Sequence, residues 1–95
     1  MNIEKTCADA IAVVERYLAN DVPAYDMRNE LYEAREAVDS AWDVIHRSRK
    51  SLRLPPLEKL HHCMCRAAWH ACLAAKSDEI MLAEKYVEEY KELVK

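Results

Sequence analysis

No glycine occurs among the 95 residues of this chain, and only three prolines do. The first absence excludes the phosphate-cradling P-loop and the dinucleotide fingerprint, whose turns need glycine for close backbone approach or positive φ. A long apolar run is missing as well, because the richest stretch is interrupted by Arg66, His70 and Lys76, so no segment reads as a membrane span. The opening residues Met1-Asn2-Ile3-Glu4-Lys5 lack the basic, apolar, small-residue order of a signal peptide. We therefore expect a soluble, unprocessed protein in the cytoplasm. No Cys-x-x-Cys pair is present either. Of the four cysteines, Cys63, Cys65 and Cys72 share one expected helix and only Cys7 lies elsewhere, a distribution that reads as reduced thiols rather than a secreted disulfide framework. The carboxylates all fall at surface-helix spacings, and a cysteine inside an alanine-rich helix lacks the neighbouring base and oxyanion donors that nucleophilic catalysis needs. The expectation is a protein that is not an enzyme and carries no cofactor.

What the chain does have is periodicity. Four stretches carry apolar residues at alternating spacings of three and four: Ile3, Cys7, Ala10, Val14, Tyr17; Met27, Leu31, Ala34, Val38, Ala41, Ile45; Leu57, Leu60, Met64, Ala67, Ala71, Ala74; and Ile80, Ala83, Val87, Tyr90, Val94. Each set forms one stripe on an α-helix. Asn2 is placed to cap the first helix and Pro23 to begin the second, while Pro55 and Pro56 interrupt the pattern and restart it. Ser77-Asp78-Glu79 resembles a fresh helix start, a hydroxyl followed by two carboxylates at the positive end of the dipole, although a continuous kinked third and fourth helix is an alternative. With 52% hydrophobic and 33% charged residues, the composition suits one globular domain over residues 1–95. The fold class expected is all-α, a small up-down four-helix bundle with helices at about 3–20, 24–47, 56–76 and 78–94.

Several faces are left over once the stripes are assigned to a core. At about 100° per residue, Tyr25, Tyr32, Glu36, Asp39 and Asp43 lie opposite the second stripe. That face is either an ordinary solvated surface or a contact surface for a partner, with rigid amphipathic tyrosines and acidic groups that steer a basic protein. From Cys63 to Ala75 only Arg66 and His70 are plainly polar. A helix apolar nearly all round is buried on several sides, either as the central helix or against a partner or second copy, in which case Trp69 is the anchor. His61 and His62 lie three or four residues from Cys65 and could share a soft metal with it if Cys72 or Cys7 joined them. The alternative is buried small thiols beside half-exposed histidines.

Charge is uneven along the chain. Arg47, Arg49, Lys50, Arg53 and Lys59 against Glu58 give His46 to Lys59 a formal +4, whereas the remaining 9 basic and 16 acidic residues give −7. The basic cluster Arg47, Arg49, Lys50 and Arg53 either complements the negative pole of the second helix or meets a phosphate or acidic partner. The net charge of −3 argues against nucleic acid as the main ligand, whose affinity depends on many phosphate contacts.

The run Cys7-Ala8-Asp9-Ala10-Ile11-Ala12-Val13-Val14-Glu15-Arg16-Tyr17, with Asn20-Asp21, Met27-Arg28 and Leu31-Tyr32-Glu33-Ala34-Arg35, resembles the opening of alanine-rich helical immunity proteins. Cys65-Arg66-Ala67-Ala68-Trp69-His70-Ala71-Cys72-Leu73-Ala74-Ala75 is similar to their later helices. The resemblance touches about half of the chain. It implies a non-enzymatic protein that binds and neutralises a toxin, and it supplies no residue-level site. The combined expectation is a protein-interaction module of inhibitor or immunity type, contacting its partner through Tyr25, Tyr32, Glu36, Asp39, Asp43 and Trp69. A phage-encoded inhibitor of a defence enzyme, a homodimeric structural subunit, and a metal- or redox-responsive regulator using His61, His62, Cys65 and Cys72 are the alternatives.

Overall fold

The computed structural model describes residues 2–20, 27–47 and 56–95, and the side chains of these other than 20, 46 and 56–58. Four helices account for most of them: α1 (Ile3–Asn20), α2 (Arg28–Arg47), α3 (Pro56–Lys76) and α4 (Ile80–Leu93). There is no strand among the described residues, and none of the helices is long and apolar enough to cross a membrane. The all-α four-helix bundle expected from the periodicity is the fold observed. Helix α1 begins as the sequence suggests, with the Asn2 Oδ1 accepting from the Lys5 backbone N–H at 3.0 Å. The expected extension of the second helix over 24–26 lies outside the described residues.

The apolar stripes become the core. Met27, Leu31, Ala34, Val38, Ala41 and Ile45 are all buried, so α2 turns one narrow face inward and leaves its other side to solvent. Helix α3 behaves differently. Met64, Ala67, Ala71 and Ala74 are buried on one side, and Cys65, Ala68, Cys72 and Ala75 on the other, because α1, α2 and α4 all pack against it. Helix α3 is therefore the central helix. Polar contacts fix the directions of its neighbours: α1 runs parallel to α3, with Glu4 against His61 and Cys7 against Cys65, while α2 runs antiparallel, with Tyr32 beside Lys76 and Trp42 beside His62. Exposed ion pairs join α1 to α2 (Arg16 to Glu30, 2.7 Å) and to α4 (Glu15 to Lys91, 3.4 Å); pairs of this kind contribute little to stability.

Three stripe positions depart from expectation. Leu60, Ile80 and Val94 are exposed, since they lie at helix ends where the neighbouring helices no longer cover them. The start of the fourth helix also differs. Ser77 does not cap it; its hydroxyl donates back to the Leu73 carbonyl at 2.9 Å, and α4 begins at Ile80 rather than 78. The break between α3 and α4 is a Schellman turn: the Glu79 N–H reaches the Ala74 carbonyl and the Asp78 N–H the Ala75 carbonyl. Asp78 occupies its left-handed position with φ 63°, where glycine is usual. In this glycine-free chain the aspartate is held there by a tertiary contact, its Oδ1 accepting from the Tyr17 hydroxyl at 2.8 Å. One residue thus ends α3 and ties the turn to α1.

Asp78→Ala loses that hydrogen bond and keeps a side chain at positive φ, whereas Asp78→Gly loses the bond but relieves the backbone. We expect the alanine variant to be less stable than the glycine variant by about 1 kcal/mol, measured by urea unfolding; equal stabilities would show that the left-handed position carries no strain.

Candidate functional site

The antiparallel α2–α3 pair creates a seam along the outside of the bundle. Near the end of α3 the Tyr32 ring lies under two cations, with the Lys76 Nζ 4.8 Å and the Arg35 guanidinium 5.3 Å from its centroid. Farther along, the seam opens into a groove of about 400 Å³ lined by Asp39 and Trp42 from α2 and by Cys65, Arg66, Trp69 and His70 from α3. Its aromatic groups pack against neighbouring rings and a cation. Trp42 packs on His62 with centroids 4.0 Å apart and carries the Arg66 guanidinium 5.9 Å from its centroid. Trp69 meets the His70 ring at 5.3 Å and 81°, and His70 stacks on Tyr86 of α4 at 5.0 Å and 23°. Half-buried rings therefore run across α2, α3 and α4, fixed by packing and open on one side.

The sequence dictates this arrangement locally. Trp42 sits beside the α2 stripe residues Ala41 and Val38, at the margin of the buried face, so the indole must lie half covered along the seam. Trp69 and His70 lie half-buried at the margins of the packed faces of α3, His70 against Tyr86 of α4. Asp39 and Arg66 put a carboxylate and a guanidinium on opposite walls of the groove, and no ion pair joins them. Chemically, such a groove accepts a flat or long apolar side chain with a polar end, the indoles covering its body and the two charges orienting its tip.

The residues proposed from sequence are distributed unequally around this groove. Asp39 and Trp69, expected on separate surfaces, are brought together. Glu36 and Asp43 are exposed on the adjoining face of α2, and Tyr32 remains 46% exposed although its ring is engaged by Lys76. Tyr25, Arg49, Lys50 and Arg53 lie outside the described residues, while Arg47 is exposed at the end of α2. Of the four proposed metal ligands, His61, His62 and Cys65 turn to different neighbours. His61 faces Glu4 at 3.2 Å, His62 packs on Trp42, and Cys65 lies against Cys7. No group of three or more histidines, cysteines or acidic residues suited to a metal occurs among the described residues.

No family model, curated protein or solved structure matches this chain. Geometry alone therefore carries the assignment of the site.

Sequence reasoning passed over Trp42, Arg66 and His70 as contact residues. Trp42 could have been found from its place at the edge of a stripe, where a large amphipathic ring is neither core nor plain surface. The pairing of Cys7 with Cys65 had no local signal, since 58 positions separate them. Beneath the groove these thiols lie 3.6 Å apart, sulfur to sulfur, and fully shielded. The contact between them and burial push the Cys7 thiol well above its ordinary range, while the same contact holds Cys65 below it. Cys72, on the same side of α3, is pushed up to about 12 by burial.

A thiol whose pKa is raised on folding keeps its proton while the unfolded chain loses it, so its contribution is intact below pH 9.0 and is lost as pH climbs toward about 12. Between pH 8 and 10.5 Cys72 is expected to account for about 2 kcal/mol of lost stability. Urea unfolding of the wild-type chain and of Cys72→Ala at the two pH values checks this: the variant's alkaline loss should be smaller by that amount, and an equal loss in both would assign it to other groups.

Proposed function

We propose that this chain is a non-enzymatic protein-interaction module, an inhibitor or immunity-type protein that binds and neutralises a partner protein through the α2–α3 seam. The observation that carries this reading is the groove itself, two half-buried indoles between an aspartate and an arginine on adjacent helices. Rigid tryptophans in a partly desolvated recess are the residue type that dominates protein–protein binding energies, and they lose little conformational entropy when a partner covers them. Exposed Glu36, Asp39 and Asp43 on the same side of α2 favour a basic partner by steering its approach. The mechanism is occupancy: the partner inserts one amphipathic side chain between Trp42 and Trp69, and the bundle blocks the partner's own working surface. The resemblance to alanine-rich immunity proteins supports the same class, and a cytoplasmic location suits both a toxin target and a phage-encoded inhibitor of a defence enzyme.

The test uses the tagged chain in its native host beside two variants, Trp69→Ala and the pair Tyr32→Ala with Glu36→Ala. We expect one stoichiometric partner with the wild-type chain, at least tenfold weaker binding for Trp69→Ala by calorimetry, and a smaller loss for the double variant, all three chains keeping the same helical circular dichroism. Unchanged affinity in Trp69→Ala would remove the groove from the interface. Light scattering at tens of micromolar separates a different partner from a second copy of this chain.

A further inference from the structure

The two buried thiols beneath the groove have a use that partner binding does not require. Cys7 projects from α1 and Cys65 from α3, neither exposes any surface, and their sulfurs are 3.6 Å apart. No polar or charged residue is buried among those described, so no buried ion or polar network accounts for the pairing. Cys65 is also among the residues that line the α2–α3 groove, the side from which a small solute would approach it. Cys63, by contrast, is exposed and, two residues from Cys65 on the helix, points roughly 200° away from it.

We propose that Cys65 and Cys7 form a two-cysteine redox site, entered through the α2–α3 groove, in which a peroxide oxidises Cys65 and Cys7 then closes a disulfide between α3 and α1. The chemistry balances within the chain and one peroxide molecule. The Cys65 thiolate attacks one peroxide oxygen, the O–O bond breaks, and the departing hydroxide takes up the thiol proton as water, leaving a sulfenic acid on Cys65. The Cys7 sulfur then attacks the Cys65 sulfur; the S–S bond forms, the S–O bond breaks, and the hydroxyl leaves as a second water with the Cys7 proton. Two thiols have lost two electrons and two protons, and the peroxide has gained both.

Three features of the fold favour this division of roles. Cys65 faces the groove and Cys7 lies behind it, so the first oxidation falls on Cys65 and the resolving thiol is already in place. Either thiol can donate to the other across the 3.6 Å contact, so a thiolate formed on Cys65 is met by the Cys7 thiol proton. Closing the bond requires the sulfurs to approach by roughly 1.5 Å, within the reach of rotamer adjustment between two parallel helices.

The test uses the full-length chain carrying Cys63→Ser, so that the exposed thiol cannot form intermolecular disulfides. Treated with a few equivalents of hydrogen peroxide, it should lose two hydrogen atoms in intact mass and yield a Cys7–Cys65 linked peptide. Its Tm should rise by at least about 10 °C, because the link closes a long loop, and dithiothreitol should reverse both changes. With Cys7→Ala added, the crosslink should disappear and dimedone should trap a sulfenic acid at Cys65; Trp42 and Trp69 fluorescence should follow the reaction, since both indoles line the groove. A crosslink to Cys72, oxidation without any crosslink, or a crosslink that forms faster in urea than in the folded chain would each overturn the proposal. Partner affinity is not a readout of this experiment, so its failure leaves the interaction reading as it stands.

Discussion

Everything in this bundle depends on how closely three helices can approach a fourth. Distances between helix axes are set by the side chains at the crossing, and α3 presents Ala67, Ala68, Ala71, Ala74 and Ala75, every one of them buried. Small side chains on both sides of one helix let α1, α2 and α4 all lie against it. The larger groups that fill the space come from the neighbours: Val14 from α1, and Leu31 and Val38 from α2, none more than 1% exposed. Dense interdigitation of large against small is what protein interiors require. It also explains why α1 and α3, which run parallel, touch closely enough to bring two sulfurs into contact.

A central helix with three neighbours still has one uncovered side. On α3 that side holds exposed Arg66, with half-buried Trp69 and His70 at its margins, and the flanking helices supply Trp42 and Tyr86. The groove is thus a consequence of the same packing, not an addition to it. Rings that would be too large for the alanine-lined crossings are accommodated along the seam, where one face can remain open. Their stacking on His62, His70 and Arg66 fixes their positions before any partner arrives, which reduces the ordering that binding would otherwise demand.

The absence of glycine has a comparable structural effect. A Schellman turn needs a left-handed residue, and here Asp78 supplies it while its carboxylate receives the Tyr17 hydroxyl. The sequence motif Ser77-Asp78-Glu79 reads equally well as the start of a helix or as the end of one. Local propensity favours the first reading; the bond to Tyr17, 61 residues away, decides for the second. For the same reason the stripe positions Ile80 and Val94 are exposed: periodicity marks a helix face but does not say how far along the helix a neighbour covers it.

Sequence by itself determined the number of helices, the starts of α1 and α3, the inward face of α2 residue by residue, and the unusual character of α3, because those follow from the fixed rotation of the α-helix and from cap and proline chemistry that act within a few residues. It also marked Asp39 and Trp69 as available for contact. Only the tertiary structure decided that Asp39 and Trp69 share one groove, that His61 and His62 turn to Glu4 and Trp42, and that Cys7 meets Cys65. Those relations depend on which helices are neighbours and on their relative register and direction, and no local pattern encodes the sum of packing contacts that sets them.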